Sequence, residues 1–200
     1  MGRLPGTQVI LSIPAAPYLQ PALKLATTML HTIQSFSQRR VSWFLLAVTA
    51  ILLECFALFM QHVMGVEPCN ECIYVRVAVL GMALAGLVGA IAPGVRVMRW
   101  GALAAWFAAL GWGLWRAALL LDLEQKVKAG AEASCGRFKG FPEWMPLERW
   151  APDVFEPRAM CGAVSWTFLN QSVTFWIWAA LWGIAAIAVL VLVAQFRSPK

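Results

Sequence analysis

Apolar residues in this chain fall into long blocks rather than into helical or strand-like alternation. One block runs from about Val41 to Met60, after Arg39-Arg40, and a second from about Cys72 to Ala92, where Pro93-Gly94 breaks it. A third runs from about Trp100 to Leu121 and a fourth from about Thr174 to Phe196. Each is near the roughly 20 residues that cross a bilayer as a helix. Helix is the only open choice there, because an unpaired strand leaves its backbone polar groups unsatisfied in lipid. The pattern predicts an all-α membrane protein, a bundle of four transmembrane helices. A short loop (residues 61–71) and a long loop (residues 122–173) lie at one end of the bundle. Residues 39–200 make up this domain. Residues 1–38 form a leader, broken by Pro5, Pro14, Pro17 and Pro21, that is either a disordered extension or, over Leu19–Phe36, an interfacial amphipathic helix.

Composition agrees with the blocks. Hydrophobic residues make up 60% of the 200-residue chain and charged ones 13%, against about 45–50% and about 25% in soluble domains. The net charge of +6 does not point to nucleic acid, because the basic residues flank the blocks instead of forming a run. Arg39, Arg40, Arg96, Arg99, Arg197 and Lys200 sit at one end with no acidic neighbour. The short loop at the other end carries Glu67 and Glu71 and no Lys or Arg, and the long loop mixes six basic with seven acidic residues. The positive-inside rule then places both termini in the cytoplasm and both loops outside. In a bacterium that means the inner membrane and the periplasm. Trp144 and Trp150 in the long loop suggest that part of Glu143–Val154 lies against the outer leaflet or packs as a lid over the bundle mouth.

Five cysteines occur: Cys55, Cys69, Cys72, Cys135 and Cys161. Cys55 lies within an apolar block, where a thiol behaves as a small hydrophobe. The other four lie at or beyond block ends, and an even set on an oxidising side suggests two pairs. Cys69-Asn70-Glu71-Cys72 follows Pro68 at the outward-facing start of the second span. With Asn70 as N-cap, Cys72 falls in the first turn, where the helix dipole favours thiolate. Arg76 lies one turn deeper on the same face. A buried charge in a span is expensive, so Arg76 either stabilises a Cys72 thiolate, binds a quinone carbonyl, or snorkels to the interface.

A bridge between Cys135 and Cys161 would close roughly 27 residues, worth ~3.5 kcal/mol by chain entropy. It serves either as a staple or as a redox-active bond that exchanges with Cys69 and Cys72. The cysteine spacing is not that of a zinc ribbon. The two histidines, His31 and His62, offer no paired haem ligands within the spans. Glu54 stands mid-span, able to pair with Arg76 or Arg116 or to stay protonated, and Arg116 near the outer end of the third span either snorkels or approaches a cofactor.

Three stretches carry a resemblance. Gln61-His62-Val63-Met64, Pro68-Cys69-Asn70-Glu71-Cys72-Ile73-Tyr74-Val75-Arg76 and Phe141-Pro142-Glu143-Trp144-Met145-Pro146-Leu147 closely resemble the DsbB family. Its members are bacterial inner-membrane enzymes that reoxidise the periplasmic dithiol oxidase DsbA with a quinone. The resemblance covers about Val41 to Lys200 and leaves out the leader. It implies that Cys135 and Cys161 form the loop pair, with Cys135 attacked by reduced DsbA. It implies that Cys69 and Cys72 form the membrane-edge pair, with Cys72 and Arg76 beside a ubiquinone or menaquinone. The family pattern also has a histidine near the quinone, and this chain offers Glu124 or Asp122 there instead. The function implied is a protein-dithiol:quinone oxidoreductase that serves disulfide formation. The reading from another class is a non-catalytic membrane interaction protein with structural disulfides.

Overall fold

A computed structural model of the protein describes residues 19–131, 138–162 and 166–196. Four of its helices are long and apolar enough to cross a membrane. They are α2 (Arg40–His62), α3 (Asn70–Ile91), α4 (Arg96–Lys128) and α7 (Val173–Phe196). Ahead of them stands α1 (Leu19–Ser37), so the second half of the leader is helical. The long loop holds two single-turn helices, α5 (Leu147–Trp150) and α6 (Pro152–Phe155), and a two-stranded hairpin of β1 (Thr167–Phe168) and β2 (Gln171–Ser172). The hairpin turns through Leu169 and Asn170, both at positive φ.

The central helix is α3, which packs on α2 along one side and α4 along the other, with α7 closing against α4. Small residues set these distances. A Cβ added at Gly86 would stand 2.7 Å from the backbone nitrogen of Ala47 in α2, and one at Gly113 would stand 3.0 Å from the Cβ of Ala78 in α3. Close backbone approach of this kind is how helices associate in lipid, where apolar burial offers no net drive. Toward the arginine end, Trp43 of α2 and Trp106 of α4 meet edge to face at 6.4 Å. The Trp43 indole N–H donates to the carbonyl of Ser37 at 2.8 Å, and Gln195 of α7 donates to the Ser37 hydroxyl at 2.7 Å. The last turn of α1 is thereby tied to two spanning helices. Large apolar side chains such as Leu52, Leu84, Ile187 and Leu190 remain exposed around the girth, as suits a surface solvated by lipid.

Two helix boundaries differ from those read off hydropathy. The third apolar block ends at Leu121, but α4 continues to Lys128. Hydropathy marks the edge of the hydrocarbon, not the end of the hydrogen-bond ladder, and Asp122 and Lys126 support the extra turns through an (i, i+4) pair at 2.6 Å. The helix stops at Gly130, whose positive φ lets its own N–H and that of Ala131 satisfy the carbonyls of Val127 and Lys126. At 33 residues and about 1.5 Å of rise each, α4 outreaches a hydrocarbon core of about 30 Å. Its final turns stand clear of lipid beside the cysteine loops. The start of α3 also differs: its N-cap is Cys69, not Asn70, which is the first helical residue.

Gly86→Ala should force α2 and α3 apart, because the obstructing atoms are backbone. The expected cost is about 1–3 kcal/mol, seen as a lower thermal midpoint in detergent. Gly101→Ala, which meets nothing within 4 Å, should leave the midpoint unchanged.

Candidate functional site

The short loop returns the chain from α2 to α3 with Pro68 buried at its end. Cys69 follows in extended conformation as the N-cap of α3, and its sulfur accepts the Cys72 backbone N–H at 3.4 Å. Cys72, one turn along, faces back, so that the two thiol sulfurs lie 2.8 Å apart. Both are free thiols. The hydrogen-bond donors at the helix start therefore converge on Cys69, the residue just outside the helix, and not on Cys72 as the Asn70 cap would have it. The Cys72 side-chain hydrogen bond, helped by backbone N–H groups at the helix start, pulls the Cys69 thiol below its ordinary value, against the opposing effects of burial and the Glu71 carboxylate.

The fourth predicted site cysteine comes to the same place. The long loop passes over the mouth of the bundle, where the N–H groups of Arg158 and Ala159 donate to the Pro68 carbonyl at 2.9 and 3.1 Å. Three residues on, Cys161 is buried in one cluster with Cys69 and Leu120, and Cys72 packs against that cluster. Cys161 is disulfide-bonded. Gly162, at φ +83°, lets this segment lie against α4, and a Cβ there would sit 2.6 Å from Val127. Cys135 lies outside the described residues.

Below the thiols, Arg76 is buried among acceptors. Its Nη1 donates to the Gln61 side chain at 2.7 Å and to the Val154 carbonyl at 2.8 Å, and its Nη2 donates to the Ala57 carbonyl at 3.3 Å. Its Nε stands 3.9 Å from the Glu54 carboxylate. So Glu54 takes Arg76 as its partner, not Arg116, and Arg76 does not snorkel. Gln61 adds a second tie to the long loop by donating to the Asp153 carbonyl at 2.7 Å. The loop thus packs as a lid through residues 153–155, with Phe155 buried, while Trp144 and Trp150 stay exposed. Arg116 turns to Glu71 at 3.1 Å and stacks over the Tyr74 ring at 4.2 Å.

Beside Cys72 and Arg76 lies an apolar cavity of about 120 Å³ at the meeting of all four spanning helices. Leu53, Val79, Leu120 and Ile177 form its walls, and the exposed Phe56 and Ala180 stand at its mouth on the flank of the bundle. The few polar groups along its wall include Arg76, Glu54 and Thr174. Arg76 spends three of its five N–H donors on the hydrogen bonds above, and one Glu54 oxygen makes no hydrogen bond. A flat, lipid-soluble carbonyl compound fits such a wall: apolar faces for a ring, and a guanidinium for a carbonyl oxygen. Of the two acidic residues near the end of α4, Asp122 is exposed on Lys126. Glu124 is buried and accepts a hydrogen bond from the Thr174 hydroxyl.

Gln61, Tyr74 and Thr174 were given no role from sequence. Gln61 had a readable signal, since it lies on the α2 face that also carries Glu54, two turns away. Tyr74 and Thr174 acquire their roles only through residues distant in the chain.

Sulfur facing sulfur at the end of a membrane bundle, with a bonded cysteine packed against the pair, is an arrangement for moving electrons between thiols and disulfides. It defines the class as membrane thiol–disulfide oxidoreductases. The comparisons with known proteins give the family. The profile described as "Disulfide bond formation protein DsbB" matches residues 39–191. "Disulfide bond formation protein B" of Photobacterium profundum is 40% identical over 171 residues, which cover 84% of this chain and 94% of that protein. The protein of the same name from Shewanella denitrificans is 41% identical over 150 residues, covering 74% and 84%. "Disulfide bond formation protein B 2" of Pseudomonas aeruginosa is 43% identical over 137 residues, covering 68% and 80%. The chain belongs to the DsbB family, and is a disulfide-generating oxidoreductase of the membrane.

In the reduced protein, alkylation of Cys69 should accelerate at a pH below the roughly 8.5 of an unperturbed thiol, because a lowered thiol ionises earlier as pH rises. Cys72→Ala removes the main hydrogen bond to that sulfur and should move the inflection upward. Mass spectrometry of the labelled peptide across a pH series checks both.

Proposed function

We propose that the chain reoxidises a DsbA-like periplasmic dithiol protein and passes the electrons to a quinone of the membrane pool. The cysteine end of the bundle then faces the periplasm, and the arginine end, with both termini, faces the cytoplasm of a bacterial inner membrane. The single observation that carries the reading is the shared burial of Cys161, disulfide-bonded, with the free thiol of Cys69, whose neighbour Cys72 lines the apolar cavity.

The steps follow from this placement. The loop pair is read as Cys135 with Cys161, as the family resemblance implies. A thiolate of the reduced partner protein attacks Cys135, and its second thiol resolves the mixed disulfide, leaving Cys135 and Cys161 reduced. These thiols in turn reduce a disulfide between Cys69 and Cys72. Cys69, with its stabilised thiolate, packs with Cys161, and Cys72 lines the cavity. A bound quinone, either ubiquinone or menaquinone, supplies an acceptor of two electrons and two protons. Arg76 orients it by donating to a carbonyl oxygen, while Leu53, Val79 and Ile177 exclude water from its faces. Each transfer moves an electron pair, so the relay runs on sulfur and quinone alone. Among the described residues nothing favours the non-catalytic reading: Cys69 and Cys72 stand as thiols in contact rather than as a staple.

Cys72→Ser should abolish coupling between oxidation of a reduced thioredoxin-fold dithiol protein and quinone reduction in membranes. Mixed-disulfide formation at the long loop should persist. Quinone reduction at the wild-type rate would overturn the assignment.

A further inference from the structure

Beyond the cysteines, Arg76 and its partner Glu54, one titratable group among the described residues is buried at the cysteine end: Glu124, 4% exposed. The relay described above gives it no task. It sits where three spaces meet. On one side is a small cavity of about 40 Å³ that it lines together with Cys69 and Cys72. A polar space above about 10–15 Å³ has room for a water molecule. On another side is a cleft lined by the exposed Asp122, Gln125, Lys128 and Gln171, open to bulk water. The third is reached through Thr174. Its hydroxyl donates to the Glu124 carboxylate, and Thr174 lines both the small cavity and the apolar cavity beside Arg76.

We propose that the Glu124 carboxylate and the Thr174 hydroxyl form the proton path of the dithiol site, linking the Cys69–Cys72 thiols, the quinone cavity and bulk water. The inference rests on the quinone-reducing function proposed above. Oxidation of the dithiol breaks two S–H bonds and forms one S–S bond. The electron pair leaves to the quinone, which also takes up two protons. Those protons need a route through an apolar wall, and a relay of electrons alone provides none. The Glu124 carboxylate accepts a thiol proton in the small cavity and passes it to Thr174 Oγ1, whose own hydroxyl proton, now held toward Glu124, is released toward the apolar cavity. The cleft on the far side of Glu124 keeps the carboxylate in exchange with water.

The titratable groups around Glu124 come from three elements. The loop before α3 brings Glu67 and Cys69, α3 brings Cys72, and α4 itself brings Asp122 and Lys128. From β2 and the start of α7 come hydroxyls, Ser172 and Thr174. Residues 159–162 bring no ionisable side chain, because Cys161 is held in its disulfide. Among these, Glu124 and Ser172 line both the dithiol cavity and the open cleft, and of the two only Glu124 carries an ionisable group.

The test compares wild type with Glu124→Gln, Glu124→Asp and Thr174→Val in the full chain. Glutamine matches glutamate in size and still accepts from Thr174, so a purely structural role predicts no change. Turnover is read with a short-chain ubiquinone and a reduced thioredoxin-fold partner across a pH series. Glu124→Gln should slow it by about 10- to 100-fold, in the range of a lost general acid–base group. It should also alter the pH profile of turnover. Glu124→Asp should restore most of the rate, and Thr174→Val should slow it with the wild-type pH dependence kept.

A second readout needs no quinone. In quinone-stripped reduced protein, ferricyanide takes electrons alone, so both thiol protons must reach water. A pH indicator should show their release lagging behind disulfide formation in Glu124→Gln but not in wild type. Wild-type rate, pH profile and proton release in Glu124→Gln would overturn the proposal while leaving the proposed function intact. Failure of wild type to reduce quinone would instead refute that function, and the ferricyanide readout would still report on Glu124.

Discussion

A guanidinium held inside a membrane bundle is the constraint around which the rest of this site is arranged. An unpartnered charge there is costly, and Arg76 meets that cost by collecting acceptors from two separate segments. Glu54, Ala57 and Gln61 come from α2, and Val154 comes from the long loop. Because Val154 belongs to a segment with little core of its own, its docking is set largely by this one side chain and by Gln61. That docking brings Arg158 and Ala159 to the Pro68 carbonyl, and so carries Cys161 to the side of Cys69. The same side chain forms part of the wall of the apolar cavity under Cys72. Electrostatics within the bundle thus positions sulfur chemistry at its edge.

The two thiols are made unequal by the direction of a helix. The start of α3 points its free N–H groups toward Cys69, the residue just outside the helix, whereas Cys72 is carried inside the first turn and toward the apolar cavity. One sulfur is suited to exchange with the loop and the other to a membrane-soluble acceptor. A Cys-x-x-Cys spacing that straddles a helix N-terminus produces this division. It follows from where the first hydrogen-bonded turn begins, not from the identity of the two intervening residues.

Much of this was legible in the sequence, for physical reasons. The cost of crossing lipid writes itself into block length, so α2, α3 and α7 begin and end within a few residues of their apolar blocks. Arg76 was conspicuous because charge in a span is rare, and its spacing from Cys72 follows from helical geometry. What could not be read is where side chains meet across elements. The cap fell to Cys69 because its sulfur accepts the Cys72 N–H, an option that capping preferences for asparagine do not weigh. The extra turns of α4 were hidden because polar helix formers look like loop once hydropathy is the guide. Burial of Glu124 against exposure of Asp122 depends on which face of those hidden turns meets Thr174. Gln61 reads as an ordinary polar residue at a helix end until Arg76 and Asp153 are seen on either side of it.

The central claim is that electrons leave the Cys69–Cys72 dithiol for a membrane quinone. The most direct measurement is thiol trapping of the protein in cells whose quinone synthesis can be switched off. With quinone withdrawn, Cys69 and Cys72 should accumulate as alkylatable thiols, and the loop cysteines should follow as the relay fills with electrons. Resupplying quinone should return both pairs to disulfides. A cysteine redox pattern that does not change with quinone supply would contradict the account.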